Sequence, residues 1–293
     1  MIPPQVLQEL RYIEIASART VRSARAGPHR SRPRGPGFEF DQHVPYRSGD
    51  DVRRIDWNVT ARLNAAYVRQ TFAERELDLV LVLDTSRSMR VGAPAQSKKE
   101  ALTYVTGSLL FSAARDQINA GFLAFSDQVL AWSPPRPATG RAWRMLEEIW
   151  ALEPDAPATA MLPAIRHLQA TLRTMAVVVL VSDFLVEDAL LSSPELRILA
   201  TSHDVMAVMI QDRADTQLPP GRGYIRMRGV ESGAARLVAL NDRTRAAYAD
   251  AVDARRRAMI DAAYGLGVDV ITVAADQPVL QPVMDMFAAR RNR

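Results

Sequence analysis

A chain of 293 residues, 48% hydrophobic and 24% charged, is long enough for one elaborated α/β domain or two ordinary ones and lies outside the disordered class. Cysteine is absent, which excludes a disulfide framework, a thiolate metal site and a cysteine nucleophile. The net charge of +4 is local: residues 1–36 hold seven arginines against Glu9 and Glu14, and only Lys98 and Lys99 among the 37 basic residues are lysines.

Val6, Leu7, Leu10, Ile13 and Ile15 fit one face of an amphipathic helix over residues 4–24, which Gly27-Pro28 ends. Charges interrupt this segment before a signal-peptide core can form, and the longest apolar run, residues 175–181, is far short of the ~20 residues of a membrane helix. A soluble, cytoplasmic protein is expected. Phe38 and Phe40 alternate with polar residues as in a short strand. Residues 47–77 mix Asp50-Asp51, Arg53-Arg54 and Trp57 and read as a small packed unit with surface salt bridges and a core tryptophan, a binding surface being the alternative.

Residues 79–83, Leu-Val-Leu-Val-Leu, are too short and too aliphatic for a helix and predict a strand buried on both faces of a parallel sheet. A helix over 98–116 follows, with Ala101, Tyr104, Val105, Leu109, Leu110 and Ala113 inward. Then come a strand pair (118–126 and 129–132) turning at Ser126-Asp127-Gln128, helices over 141–150 and 163–174, and a second apolar strand over 175–183. The remaining expectations are a helix over 190–202, a strand over 204–210, a hairpin insertion near 213–240, a long helix over 242–264, a strand over 268–273 and a short terminal helix over 283–289. The alternation predicts an α/β, doubly wound, mainly parallel sheet with helices on both faces, spanning 77–293, after a small N-terminal α+β sub-domain over 1–76.

Ligands of open α/β sheets sit past the C-terminal ends of the strands. Past the first apolar strand stand Asp84, Ser86 and Ser88; past the second stands Asp183; Thr159 lies on a central loop. By itself Asp-x-Ser-x-Ser also suits an Asx or serine turn closing a strand. With Thr159 and Asp183 in place the five residues form the pattern of a metal-ion-dependent adhesion site, and from residue 78 onward the chain resembles a von Willebrand factor A-like domain. That resemblance implies Ser86, Ser88 and Thr159 as direct ligands of a divalent cation, Mg²⁺ with Mn²⁺ or Ca²⁺ as the other candidates, and Asp84 and Asp183 as ligands through water. Oxygen donors suit such hard cations. An acidic side chain from a client or partner would complete the shell. Members of that family usually carry glycine before the threonine, where this chain has Pro157-Ala158-Thr159.

Residues 34–57, RGPGFEFDQHVPYRSGDDVRRIDW, followed by Asn58-Val59-Thr60-Ala61-Arg62 and then the Asp84 motif, resemble the MxaS-like bacterial family of domain-of-unknown-function proteins usually encoded beside MoxR-type AAA+ ATPases. The resemblance implies a non-enzymatic factor that works with such an ATPase in assembly, remodelling or metal insertion of a client complex. Neither a Walker A sequence nor a dinucleotide glycine fingerprint is present, no GxSxG elbow surrounds Ser86 or Ser88, and His29, His43, His167 and His203 are scattered. The alternatives left open are a metal-assisted hydrolase using the same residues and nucleic-acid binding through the N-terminal arginines, disfavoured by the lack of interleaved aromatics.

Overall fold

The computed structural model describes residues 2–20, 40–48, 50–71, 77–90, 92–93, 96–154, 158–185, 190–230 and 233–291. Arg30, Arg32 and Arg34, Phe38, Pro157 and the part of the first helix expected past residue 20 lie outside them.

Two units are present, residues 26–76 and the rest. In the smaller, β1 (Phe40–Pro45) pairs antiparallel with β2 (Tyr67–Thr71), and α2 (Trp57–Leu63) lies between them in sequence. Asp56 caps α2 by accepting from the Asn58 and Val59 amides, and its Oδ2 lies 2.9 Å from His43 Nε2. Trp57, expected in a core, is 70% exposed. A two-stranded sheet whose described residues bury only Val68 has too little apolar mass to enclose an indole.

The larger unit is built on a six-stranded sheet in the order β12-β9-β8-β3-β6-β7. Its strands are β3 (Asp78–Asp84), β6 (Asn119–Phe125), β7 (Val129–Pro137), β8 (Ala176–Ser182), β9 (Asp204–Gln211) and β12 (Asp269–Ala274), all parallel except β7. Leu79, Leu81 and Leu83 of β3 enter one core with Val177, Val179 and Val181 of β8; Val80 and Val82 enter the opposite core with Val178 and Leu180. Two buried faces explain why these strands are aliphatic throughout rather than alternating with polar residues.

The first core is covered by α1 (Pro4–Thr20), α3 (Lys98–Arg115), α4 (Ala142–Ala151) and α9 (Leu280–Arg291). The second is covered by α5 (Leu162–Thr171), α6 (Pro194–Ser202) and α8 (Asp242–Gly265). The sequence boundary at 76/77 leaves α1 with the small sub-domain, but the helix packs on α3 and groups with the sheet. Its apolar stripe, Val6, Leu10 and Ile13, is fully enclosed there, each side chain contributing about 1.5–3 kcal/mol. Gly107 of α3 provides the notch: a Cβ on it would come within 2.6 Å of a Leu10 methyl.

At the other edge, Pro134 and Pro135 of β7 both stand opposite Gly121 of β6, where the register shifts between Ala120 and Phe122. A Cβ at residue 121 would lie 2.4 Å from the Ser133 carbonyl oxygen and 2.7 Å from the Pro135 nitrogen, so only glycine fits under this bulge. Between β9 and α8 stand a single helical turn, α7 (Arg213–Thr216), and the expected insertion, β10 (Gly223–Arg228) paired with β11 (Ala235–Leu240).

Candidate functional site

The parallel register places the tips of three neighbouring strands side by side. Asp84 ends β3 level with Phe125 of β6, and on the other side Leu83 stands opposite Val181, which leaves Asp84 beside Ser182 of β8. The chain then turns over the sheet end. The Thr85 amide and hydroxyl both donate to the Phe125 carbonyl, and Asp84 Oδ1 accepts from the Ser86 amide at 2.9 Å, closing an Asx turn. That turn brings the Ser86 and Ser88 hydroxyls within 3.1 Å of each other, both in buried residues.

Asp84 is fully enclosed, and its Oδ2 accepts a 2.6 Å hydrogen bond from the Ser182 hydroxyl. Burial first, and then the neighbouring Asp183 carboxylate, push the Asp84 carboxyl up to about 7. Asp183 follows β8 directly; its Oδ1 accepts from the Leu185 amide at 3.0 Å and its Oδ2 from Lys98 Nζ at 2.8 Å. Thr159 arrives from the far side, where the Ala160 amide donates to the Ser126 carbonyl at 2.8 Å and pins the loop at the end of β6. Thr159 is 1% exposed, and its Oγ1 has no hydrogen-bond partner among the described residues.

Four of the five residues expected from the sequence are thus tied together: Asp84 to Ser86, Ser86 to Ser88, and Asp84 to Asp183 through the field between their carboxylates. Thr159 makes no bond to the others; its loop is anchored to the strand next to theirs. The donor set of three hydroxyls and two carboxylates, with one hydroxyl buried and unpartnered, fits a hard divalent cation. Among the described residues no three His, Asp or Glu side chains cluster as a metal group. A narrow recess lies beside Asp84, bordered by Thr85, Met89, Arg90, Lys99, Leu102 and Thr103.

Three participants were not recognised from the sequence: Ser182, Asp215 and Lys98. Lys98 carried a signal. A cation at the first position of a helix faces the positive end of the dipole, an unfavourable place unless carboxylates hold it.

A family model described as "Protein of unknown function DUF58" matches residues 42–258. The chain is 30% identical over 291 residues to "Uncharacterized protein Mb1516" of Mycobacterium bovis and to "Uncharacterized protein Rv1480" of Mycobacterium tuberculosis, covering 98% of this chain and 90% of each of theirs. Among solved structures it is similar to the conserved hypothetical protein BatB from Bacteroides thetaiotaomicron (13% identity, 74% of this chain and 100% of that one, TM-score 0.47). Two others are an aerotolerance-related membrane protein from Bacteroides fragilis (14% identity, 74% and 98%, TM-score 0.48) and an uncharacterized membrane spanning protein from Vibrio fischeri (16% identity, 73% and 98%, TM-score 0.26). Two of these descriptions name membrane proteins, and the expectation of a cytoplasmic protein is corrected accordingly; among the described residues no helix is long and apolar enough to cross a membrane.

Proposed function

This chain belongs to the DUF58 family, described as proteins of unknown function, so its role has to come from its own residues, and we propose that the strand tips around Asp84 form a metal-dependent protein-interaction site on a von Willebrand factor A-like domain. The observation that carries this is Thr159 Oγ1, a hydroxyl sealed from water with no partner among the described residues, on a loop pinned at the end of β6, the strand next to the one that ends in Asp84. Such an orphan costs about 1–3 kcal/mol, a cost that a bound cation would remove.

Ser86, Ser88 and Thr159 would hold the ion directly, and Asp84 and Asp183 would hold its waters. When bound, the ion supplies a Lewis-acidic position that an acidic side chain of a partner can complete. The chain's own part is positioning. Ser182 and the Ser86 amide orient the two oxygens of Asp84, and the Leu185 amide fixes one oxygen of Asp183. The role is non-enzymatic: capture of a client, in concert with a MoxR-type AAA+ ATPase that remodels or assembles it.

The test is capture by full-length tagged protein, wild type and Asp84→Ala, in Mg²⁺ and in chelator, with the cognate AAA+ ATPase as purified probe. Binding by wild type in Mg²⁺ alone is expected. Equal binding under all four conditions would refute a metal-gated interface, and metal-dependent turnover of a small substrate lost in Asp84→Ala would put the hydrolase reading in its place.

A further inference from the structure

Lys98 is 1% exposed, and the function proposed above assigns it no role. It opens α3 immediately after Ser97, whose capping box with Glu100 sets the start of the helix at this residue. An ammonium here has lost its water and faces a helix N-terminus, both unfavourable. Two carboxylates compensate: Nζ lies 2.8 Å from Asp183 Oδ2 and 2.8 Å from Asp215 Oδ2. Burial works against the charged form of Lys98, yet these two carboxylates outweigh it and hold its pKa above the ordinary lysine value.

The two acceptors come from different parts of the fold. Asp183 follows β8 and belongs to the candidate site, where its other oxygen is taken by the Leu185 amide. Asp215 lies in α7, past β9, and its backbone carbonyl accepts from the Tyr248 hydroxyl of α8 at 3.2 Å. The polypeptide after α7 runs directly into the β10–β11 pair.

We propose that Lys98 is a positioning residue whose single ammonium, shared between Asp183 and Asp215, links the state of the strand-tip site to α7 and the strand pair behind it. A cation at the site draws on the charge of Asp183, and Lys98 then leans toward Asp215 and holds α7 more firmly. Conversely, when α7 is displaced, Lys98 falls to Asp183 alone and weakens the hold on the cation. The two effects are one coupling free energy seen from its two ends. The consequence for the cation rests on the metal reading; the shared ammonium does not.

The test uses the full chain, first in chelator, with amide hydrogen exchange measured over residues 212–217. In Asp183→Asn the ammonium is left to Asp215, and exchange there is expected to slow about fivefold; unchanged or faster exchange would overturn the link. Because the chain holds only two lysines, ¹⁵N-lysine labelling gives a readout independent of that variant. Asp215→Asn, at a partly exposed side chain, is expected to shift the Lys98 ammonium signal and leave that of Lys99 in place. An unmoved Lys98 signal would overturn the link equally. Mg²⁺ titration then reads the consequence, a Kd about tenfold higher in Asp215→Asn than in wild type. A Kd within about twofold of wild type overturns the coupling, whereas a wild type that binds no Mg²⁺ defeats the metal reading and leaves the shared ammonium to the first two readouts.

Discussion

Replacing Thr159 by valine should change stability in opposite directions with and without a divalent cation. The Thr159 side chain is enclosed and its Oγ1 is unpartnered among the described residues, so the folded protein bears a desolvation cost of about 1–3 kcal/mol that the unfolded chain, hydrated at this hydroxyl, does not. Valine keeps the branched shape and removes the hydroxyl. In chelator, Thr159→Val is therefore expected to gain about 1–2 kcal/mol, or about 2–4 °C in Tm per kcal/mol for a domain of this size. Cation binding reverses the order. At a Mg²⁺ concentration of about 100 times Kd the wild type gains about 2.7 kcal/mol, while the variant, short of one ligand oxygen, gains little. Urea unfolding of both proteins in chelator and in Mg²⁺ gives four stabilities, and the lines joining them should cross. A variant that loses about 1 kcal/mol or more in chelator would show that the hydroxyl is satisfied within the protein, and the case for a ligand there would fall.

Two other outcomes follow from the geometry. Burial, and then Asp183, raise Asp84 from 3.8 to about 7 in the folded protein, so between those values the folded state holds a proton that the unfolded state has released. The stability contributed by Asp84 without metal is therefore full below about pH 4 and lost as pH rises to about 7, and Asp84→Asn should remove that loss in urea unfolding at a series of pH values. At the α1–α3 notch, Leu10→Ala should cost about 2–5 kcal/mol, and Gly107→Ala should cost a smaller amount because its better helix propensity offsets part of the clash with the Leu10 methyl at 2.6 Å. Since the new methyl occupies part of the space Leu10 vacates, the double variant should be less destabilised than the sum by about 1 kcal/mol; strict additivity would show that these side chains do not meet.

The sheet was legible wherever burial on both faces forces an aliphatic run: residues 79–83 and 175–183 mark β3 and β8, and their ends mark the place of Asp84 and Asp183. The inward positions of α3, Ala101 through Ala113, follow from helical spacing and are buried. Spacing says nothing of which surface an amphipathic stripe will choose. Val6, Leu10 and Ile13 predict a helix, but their seat is a glycine about a hundred residues later in the chain, a pairing no local pattern encodes. Trp57 misled for a related reason, since an indole implies a core only where enough apolar mass surrounds it. Lys98 eluded local inspection because its two acceptors, 85 and 117 residues away, meet it only once β8 and β9 are laid side by side.

The bulge at β7 has a bearing on how anything can approach this sheet. Strand addition needs a border that offers amide donors at regular intervals. The outer strand here has prolines at 134, 135 and 137, none with a donor to give, and twists where two residues face Gly121. That flank resists recruiting a further strand, whether from a client segment or from an unfolded neighbour.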